Sequence, residues 1–231
     1  MTKPVTVLSV GSPILGNAVY HANLCTSLAG SASVSVIPRS VNDYWDFRAK
    51  LLFATIASPR FGAKSYRVRA EWVMSEVARR GIQRELTALN PDVIHCHTQA
   101  HALRCHRLAR KRPLVVSGDA TAHRLRRLPA YAKQNEVFEK IAGMEARLFG
   151  VCEQVGGVSR WVTDSLQSDY GLPPARVRLC SPCVDTEFFA PRPPAPTSLA
   201  KSKLRIVFVG NDLERKGGKL LLAAMEVGLS S

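Results

Sequence analysis

The sequence predicts an α/β protein: a doubly wound, Rossmann-like parallel sheet followed by a fragment of a second domain of the same kind. Two observations carry this. Short β-rich apolar runs alternate with stretches of helical period, and strands separated by helices of that length imply right-handed βαβ units and a parallel sheet covered on both faces. A proline-rich segment then leads into a fresh apolar run and a basic turn, Arg215-Lys216-Gly217-Gly218, which is how a nucleotide-binding domain begins.

The elements follow in order. Strands are expected near 5–10, 33–37, 92–96, 113–117, 154–158 and 177–180, the first opening directly on Val5-Thr6-Val7-Leu8-Ser9-Val10. Helices are expected near 17–29, 44–56, 66–89, 100–111, 135–150 and 160–169. Val137, Ile141, Met144 and Leu148 recur at helical spacing, as do Val162, Leu166 and Tyr170. Ser159 is placed to cap the last of these helices, and Gly171, followed by Pro173-Pro174, to end it. Residues 190–203 carry Pro191, Pro193, Pro194 and Pro196 with little to bury, and read as a linker. A strand over 204–209 and a helix from Gly217 to Val227 come next. The expected organisation is a Rossmann-like domain over 1–189, a linker over 190–203 and the start of a second domain over 204–231.

Composition bounds the function. A chain of 231 residues, 46% hydrophobic and 22% charged, is an ordinary globular protein with enough apolar surface for a sizeable core. The formal charge of +14 is the outlier. A positive field on that scale favours phosphates or anionic lipid head groups, unless it is merely a solvated, arginine-rich surface. No basic-aromatic interleaving or nucleic-acid-binding signature accompanies the charge, so nucleic acid is not an expected partner. The start lacks a basic and apolar leader pattern and no run is long enough to span a bilayer, so the expected location is cytoplasmic, with at most peripheral contact with an anionic membrane. Of the 6 cysteines, only Cys180 and Cys183 are closely spaced; a lone CxxC is weak evidence for zinc, and reduced thiols are expected.

In an open parallel sheet, ligands sit at the carboxyl ends of the strands, where helix N-termini direct free N–H groups. That rule selects four places. The first is the turn Gly11-Ser12-Pro13-Ile14-Leu15-Gly16-Asn17, either a phosphate loop or an ordinary strand-helix turn. The second is His95-Cys96-His97 with His101 beyond, either a polar strand end lining the cleft or part of a metal site; no carboxylate completes a ligand set, and no metal is expected. The third is Asp119-Ala120-Thr121, where Asp119 either accepts hydrogen bonds from substrate hydroxyls or caps the next turn. The fourth is Arg215-Lys216-Gly217, where two cations and a helix N-terminus converge on one spot; this suits a diphosphate better than the alternative, a solvated basic turn.

Taken together these stretches resemble a known family, the retaining glycosyltransferases of family 4, which have two Rossmann-like domains facing one cleft in the GT-B architecture. The matching pieces are Pro91-Asp92-Val93-Ile94-His95-Cys96-His97, Asp119-Ala120-Thr121, Ser159-Arg160-Trp161-Val162-Thr163-Asp164-Ser165-Leu166, Asp169-Tyr170-Gly171-Leu172-Pro173, Val184-Asp185-Thr186-Glu187-Phe188-Phe189-Ala190-Pro191, and Phe208-Val209-Gly210 through Gly218. The resemblance implies an amino-terminal domain that receives the acceptor and a carboxy-terminal domain that grips a nucleoside-diphosphate sugar. It assigns Gly16, Arg215, Lys216 and Gly217 to the donor diphosphate, His97, Thr121 and Ser159 to the acceptor cleft, and a catalytic role to Asp119. It implies no metal and no cofactor besides the sugar nucleotide substrate, the leaving diphosphate being stabilised electrostatically.

Three positions depart from the family pattern. Asn211 replaces a frequent arginine, Asp119 replaces a frequent cleft histidine, and Cys183 stands where glycine is usual, which costs strain if its φ is positive. The family's late acidic pair has no counterpart before Ser231, so the expectation is a truncated or frameshifted, inactive relative. The alternative from a different class is a non-catalytic module that binds a phosphorylated ligand or a polyanion.

Overall fold

The computed structural model describes residues 3–12, 15–56, 66–191, 206–210, 213–214 and 216–229. Six strands, β1 (Val5–Gly11), β2 (Val34–Ser40), β3 (Val93–His97), β4 (Leu114–Gly118), β5 (Gln154–Gly157) and β6 (Val177–Leu179), form one sheet in the order β2-β1-β3-β4-β5-β6. Every pairing is parallel. The helices are α1 (Leu15–Ala29), α2 (Phe47–Ile56), α3 (Tyr66–Leu89), α4 (Gln99–Ala102), α5 (Ala122–Arg126), α6 (Asn135–Val151), α7 (Arg160–Ser168) and α8 (Gly218–Leu229). This is the doubly wound, Rossmann-like sheet that the alternation of patterns predicts.

Side-chain alternation along the strands separates two faces. Leu8, Val10, Ile94, Cys96, Leu114 and Val116 point to one face and are buried with Val73, Val77 and Ile82 of α3 and Leu148 of α6 in the main core. The strand order explains the layering. The step from β1 to β2 runs one way along the sheet and all later steps run the other way, so right-handed crossovers put α1 on the second face and the later connections of the sheet on the first. That face carries Ser9, His95 and Ser117, and Tyr20, Leu24 and Leu28 of α1 lie along a groove of about 310 Å³ beside it.

Several elements differ from expectation. The helix expected over 44–56 is a 3-10 turn, Val41–Tyr44, followed by α2, because Asp46 intervenes and its carboxylate accepts the Ala49 N–H at 2.8 Å. The helix expected over 100–111 is only α4 and a 3-10 turn, Cys105–Leu108; there the His106 ring bonds the Leu103 carbonyl at 2.9 Å, competing with helical pairing. Between β4 and α6, where no helix is expected, the chain forms α5 and a 3-10 turn, Pro129–Gln134. At the end of α7, Gly171 has φ +66°, and the amides of Gly171 and Leu172 turn back onto the carbonyls of Gln167 and Leu166. Cys183 is not among the residues with positive φ, so the strain considered for it does not arise.

The chain divides into two compact units, 1–185 and 186–231. Within the second, residues 206–210 carry no regular secondary structure where a strand is expected over 204–209; among the described residues they join no ladder. Residues 204 and 205, most of the expected linker, and Asn211 lie outside the described residues. Helix α8 forms as expected, with Leu213 and Phe208 closing on Gly218.

Candidate functional site

The carboxyl ends of β1, β3, β4 and β5 lie side by side, and two hydrogen-bonded networks occupy them. The first runs along the α1 face. His21 Nε2 lies 2.9 Å from Ser9 Oγ, which lies 2.9 Å from His95 Nδ1. On the other side of that ring, His95 Nε2 is 3.0 Å from Ser117 Oγ, and Ser117 Oγ is 2.9 Å from His97 Nδ1. His97 Nε2 ends the row on Asn17 Oδ1 at 3.3 Å, one residue after Gly16. With that carbonyl as the terminal acceptor, each imidazole donates from Nε2 and each hydroxyl passes its hydrogen onward, so all donors run one way. This holds only if the rings are neutral.

Burial ensures that they are. It pushes His95 down to about 3, with the neighbouring His97 and His21 adding to the effect, and His97 down to about 4. The same cause lowers His21. Gly11 leaves room for this row, because a Cβ there would fall 2.3 Å from the His21 ring. The Tyr20 ring stacks on His97 with centroids 4.2 Å apart.

The second network lies under the loop that follows β4. Its centre is Glu145 of α6, only 2% exposed. Glu145 Oε2 accepts the Ala122 N–H at 2.9 Å and the Tyr170 hydroxyl, and Oε1 accepts Gln99 Nε2 at 3.3 Å. The same Gln99 amide donates to the Ala120 carbonyl. Burial raises Glu145 to about 7 against these hydrogen bonds, which favour its ionised form. Neither Gln99 nor Glu145 was singled out in the sequence. A glutamate on a helix with buried neighbours gives no local sign of a function, and the only hint was its place on the inward face of α6.

The expected site residues take different positions. Asp119 is exposed at the end of β4 and makes no hydrogen bond or ion pair to a described residue. It does not cap the following turn, the alternative considered for it: Thr121 is the cap of α5, its hydroxyl accepting the Arg124 N–H at 3.3 Å. Thr121 is itself buried, with its hydroxyl 2.7 Å from Ser165 Oγ, so it holds the loop instead of presenting a hydroxyl to the cleft. Ser159 stands at the N-terminus of α7, half-buried, and its hydroxyl makes no capping bond. Its carbonyl takes the Val162 and Thr163 amides. Gly118 and Gly157 are register partners, so the chain leaves adjacent strand ends toward Asp119 and Ser159. Gly16 lies in the first turn of α1 with open space where a side chain would project.

In the second unit, Gly217 has φ +82°, a conformation that suits glycine. The Gly218 and Lys219 amides are both directed at the Leu213 carbonyl, at 2.6 and 3.3 Å, so the start of α8 is internally satisfied. Lys216 is exposed, and Arg215 lies outside the described residues. Among the described residues, no group of three or more His, Cys, Asp or Glu is arranged to hold a metal ion, and no helix is long and apolar enough to cross a membrane. All six cysteines are free.

A search of curated protein sequences finds no match. Among solved structures, Phytolacca americana UGT2 complexed with UDP-2fluoro-glucose and pterostilbene aligns with a TM-score of 0.51 at 12% identity, over 79% of this chain and 54% of that one. The UDP-GlcNAc 2-epimerase from Neisseria meningitidis bound to UDP-GlcNAc aligns with a TM-score of 0.47 at 11% identity, over 76% of this chain and 45% of that one. The chain therefore spans about half the length of these proteins. The first alignment shows the fold, a Rossmann-like domain of GT-B type. The family model of Glycosyltransferase Family 4 matches residues 16–188, three quarters of the sequence and five of the six strands, and the chain belongs to that family.

Proposed function

We propose that this chain is the acceptor-side part of a glycosyltransferase that moves a sugar from a nucleoside-diphosphate sugar to a carbohydrate or lipid-linked acceptor, in polysaccharide or glycolipid synthesis. The observation that carries the reading is the strand-end row. An Asp119 carboxylate without a partner among the described residues and a Ser159 hydroxyl without a capping bond follow adjacent strands, beside a buried Ser-His relay that ends next to the open Gly16. A carboxylate so placed can accept hydrogen bonds from sugar hydroxyls, and a helix N-terminus beside a small residue can receive phosphate. Gly16, Lys216 and Gly217 are the proposed diphosphate contacts, with Arg215; His97 supports this side of the site from below, and Ser159 faces the acceptor. No metal or other cofactor is part of the proposal.

The 231 residues alone are proposed to lack turnover. Among the described residues, 206–210 form no strand, and the α8 amides that would meet a diphosphate are directed at the Leu213 carbonyl. The protein is further proposed to act in the cytoplasm, with peripheral contact at an anionic membrane. A groove of about 360 Å³ between α2 and α3, with Ala49 and Val77 in its floor, supports this contact: Arg48 and Arg84 stand at its rim with one carboxylate, Asp46, while Arg79 and Arg80 are paired with Glu76. The charge of +14 also favours the second reading, a non-catalytic module for a phosphorylated ligand or polyanion.

Calorimetry separates the two. Glycosyl transfer predicts heats that depend on the sugar when several nucleotide sugars are compared with free nucleoside diphosphates, and a loss of acceptor-sugar binding in Asp119→Asn. Equal, salt-sensitive binding of every polyanion, duplex DNA included, would instead establish the binding module.

A further inference from the structure

Glu145 is a buried carboxylate with no ion-pair partner among the described residues, and its bonds lead to the loop that carries Asp119. We propose that Glu145 is the positioning residue of that loop, holding the Ala122 amide directly and the Ala120 carbonyl through Gln99, and so setting where Asp119 sits. The inference rests on the reading of this loop as the acceptor side.

The Gln99 amide shows how tightly the arrangement is specified. Its Nε2 serves two acceptors, Ala120 O and Glu145 Oε1, while its Oε1 is buried without a partner among the described residues. An unpaired buried carbonyl is costly, and the orientation persists because the opposite one would leave both acceptors without a donor. Gly118 makes the fit possible: a Cβ at that position would fall 2.2 Å from Gln99 Oε1. Three donors therefore converge on one carboxylate from three elements: Gln99 of α4, the Ala122 N–H that opens α5, and the Tyr170 hydroxyl just past α7.

Protonation would reverse one of these bonds. Oε2 already accepts two donors, so the proton goes to Oε1, whose single bond is the 3.3 Å contact with Gln99. The new O–H needs an acceptor, and Gln99 Oε1 is the free one nearby. The amide that turns to offer it withdraws its NH2 from the Ala120 carbonyl. One proton on α6 is thereby converted into release of the backbone beside Asp119.

Few other charges face the site. From α3 comes Glu71, whose like charge works against ionisation and which is itself paired with Arg67 at 2.9 Å. From α5 comes His123, its ring packed against Tyr170 at a centroid distance of 4.9 Å, and beside Tyr170 stands Asp169, held by Arg127 at 2.8 Å. The buried carboxyl, raised to about 7, titrates where the change would matter in a cell.

Amide hydrogen exchange of the ligand-free chain between pH 5.5 and 8.5, corrected for intrinsic rates, tests this. In the wild type, protection of the segment 118–126 is expected to fall severalfold on acidification while β1 and β3 stay unchanged. Glu145→Gln is expected to lose protection in that segment alone and to lose the pH dependence. Tyr170→Phe removes a bond to the ionised form, so its transition is expected at higher pH, a shift that a merely structural residue would not produce. A flat wild-type profile, a Glu145→Gln profile like the wild type, or equal loss over every strand would each overturn the proposal. No sugar is added, so a latch observed alongside failed calorimetry would sustain the role of Glu145 and overturn only glycosyl transfer.

Discussion

At the scale of single residues, the Ser9, His21, His95, His97 and Ser117 row couples protonation to stability. Burial holds His95 down to about 3 in the folded chain, and His97 and, outside the row, His101 down to about 4. An unfolded chain binds these protons near about 6.5. Between those limits the unfolded state holds more protons, so the stability is present in full above the unfolded value and is lost as pH falls through the window. Glu145, raised to about 7, has the opposite sign, since there the folded state holds the extra proton. Three imidazoles outweigh one carboxyl. The urea midpoint is therefore expected to fall from pH 7 to pH 5, and a midpoint that rises would show the rings to be charged in the folded state. Ser117→Ala leaves a His95 N–H and a His97 nitrogen unpaired, and is expected to cost about 1–3 kcal/mol at pH 7 in the same measurement.

At the scale of elements, glycine decides how closely helices approach. Gly81 of α3 lies under the Tyr44 ring, and a Cβ there would fall 2.1 Å from it. Tyr44 is in turn fixed in the 3-10 turn whose Ser40 and Asp43 form a reciprocal cap. Gly81→Ala must push that turn off α3, and is expected to cost about 1–3 kcal/mol. At roughly 2–4 °C per kcal/mol for a chain of this size, a thermal melt will show it. Gly143 in the middle of α6 has nothing within 4 Å of an added Cβ, so Gly143→Ala is expected to raise stability by about 0.5–1 kcal/mol in the same experiment. The helix ends most legible in sequence were those with local punctuation, such as Gly171 after α7. The breaks at Asp46 and His106 were not, because an aspartate or a histidine at those places is equally at home in a helix surface; only the bonds to the Ala49 amide and the Leu103 carbonyl reveal the interruption.

At the scale of the whole molecule, the net charge of +14 is partly tied up. Arg124 and Arg127 both face Asp169, at 3.8 and 2.8 Å, whereas at the rim of the α2–α3 groove Arg84 faces only the exposed Asp46, at 3.8 Å, with Arg48 beside it. Glu76 there binds Arg79, Arg80 and Arg104 together, which holds its carboxyl down to about 2 against the cost of burial. Vesicles of phosphatidylglycerol are expected to pellet the protein and phosphatidylcholine vesicles are not, with release at ~0.5 M salt as the Debye length shortens. Joint Arg48→Gln and Arg84→Gln substitution is expected to weaken pelleting more than Arg124→Gln with Arg127→Gln. The reverse ranking would move the contact to α5.

The sequence by itself determined the order of strands and helices, the parallel doubly wound class and the family, because periodicity, caps and turn residues act over a few positions. It also pointed to the carboxyl ends of the strands, where an open parallel sheet offers helix N-termini. What each residue does there was decided only by tertiary structure. Asp119 and Thr121 are two positions apart, yet one stands exposed and the other is buried against Ser165, 44 positions away. Glu145 meets Ala122 across 23 positions and Gln99 across 46. Hydrogen bonds of that span depend on how the layers close over the sheet, and burial then sets the charge of each group they join.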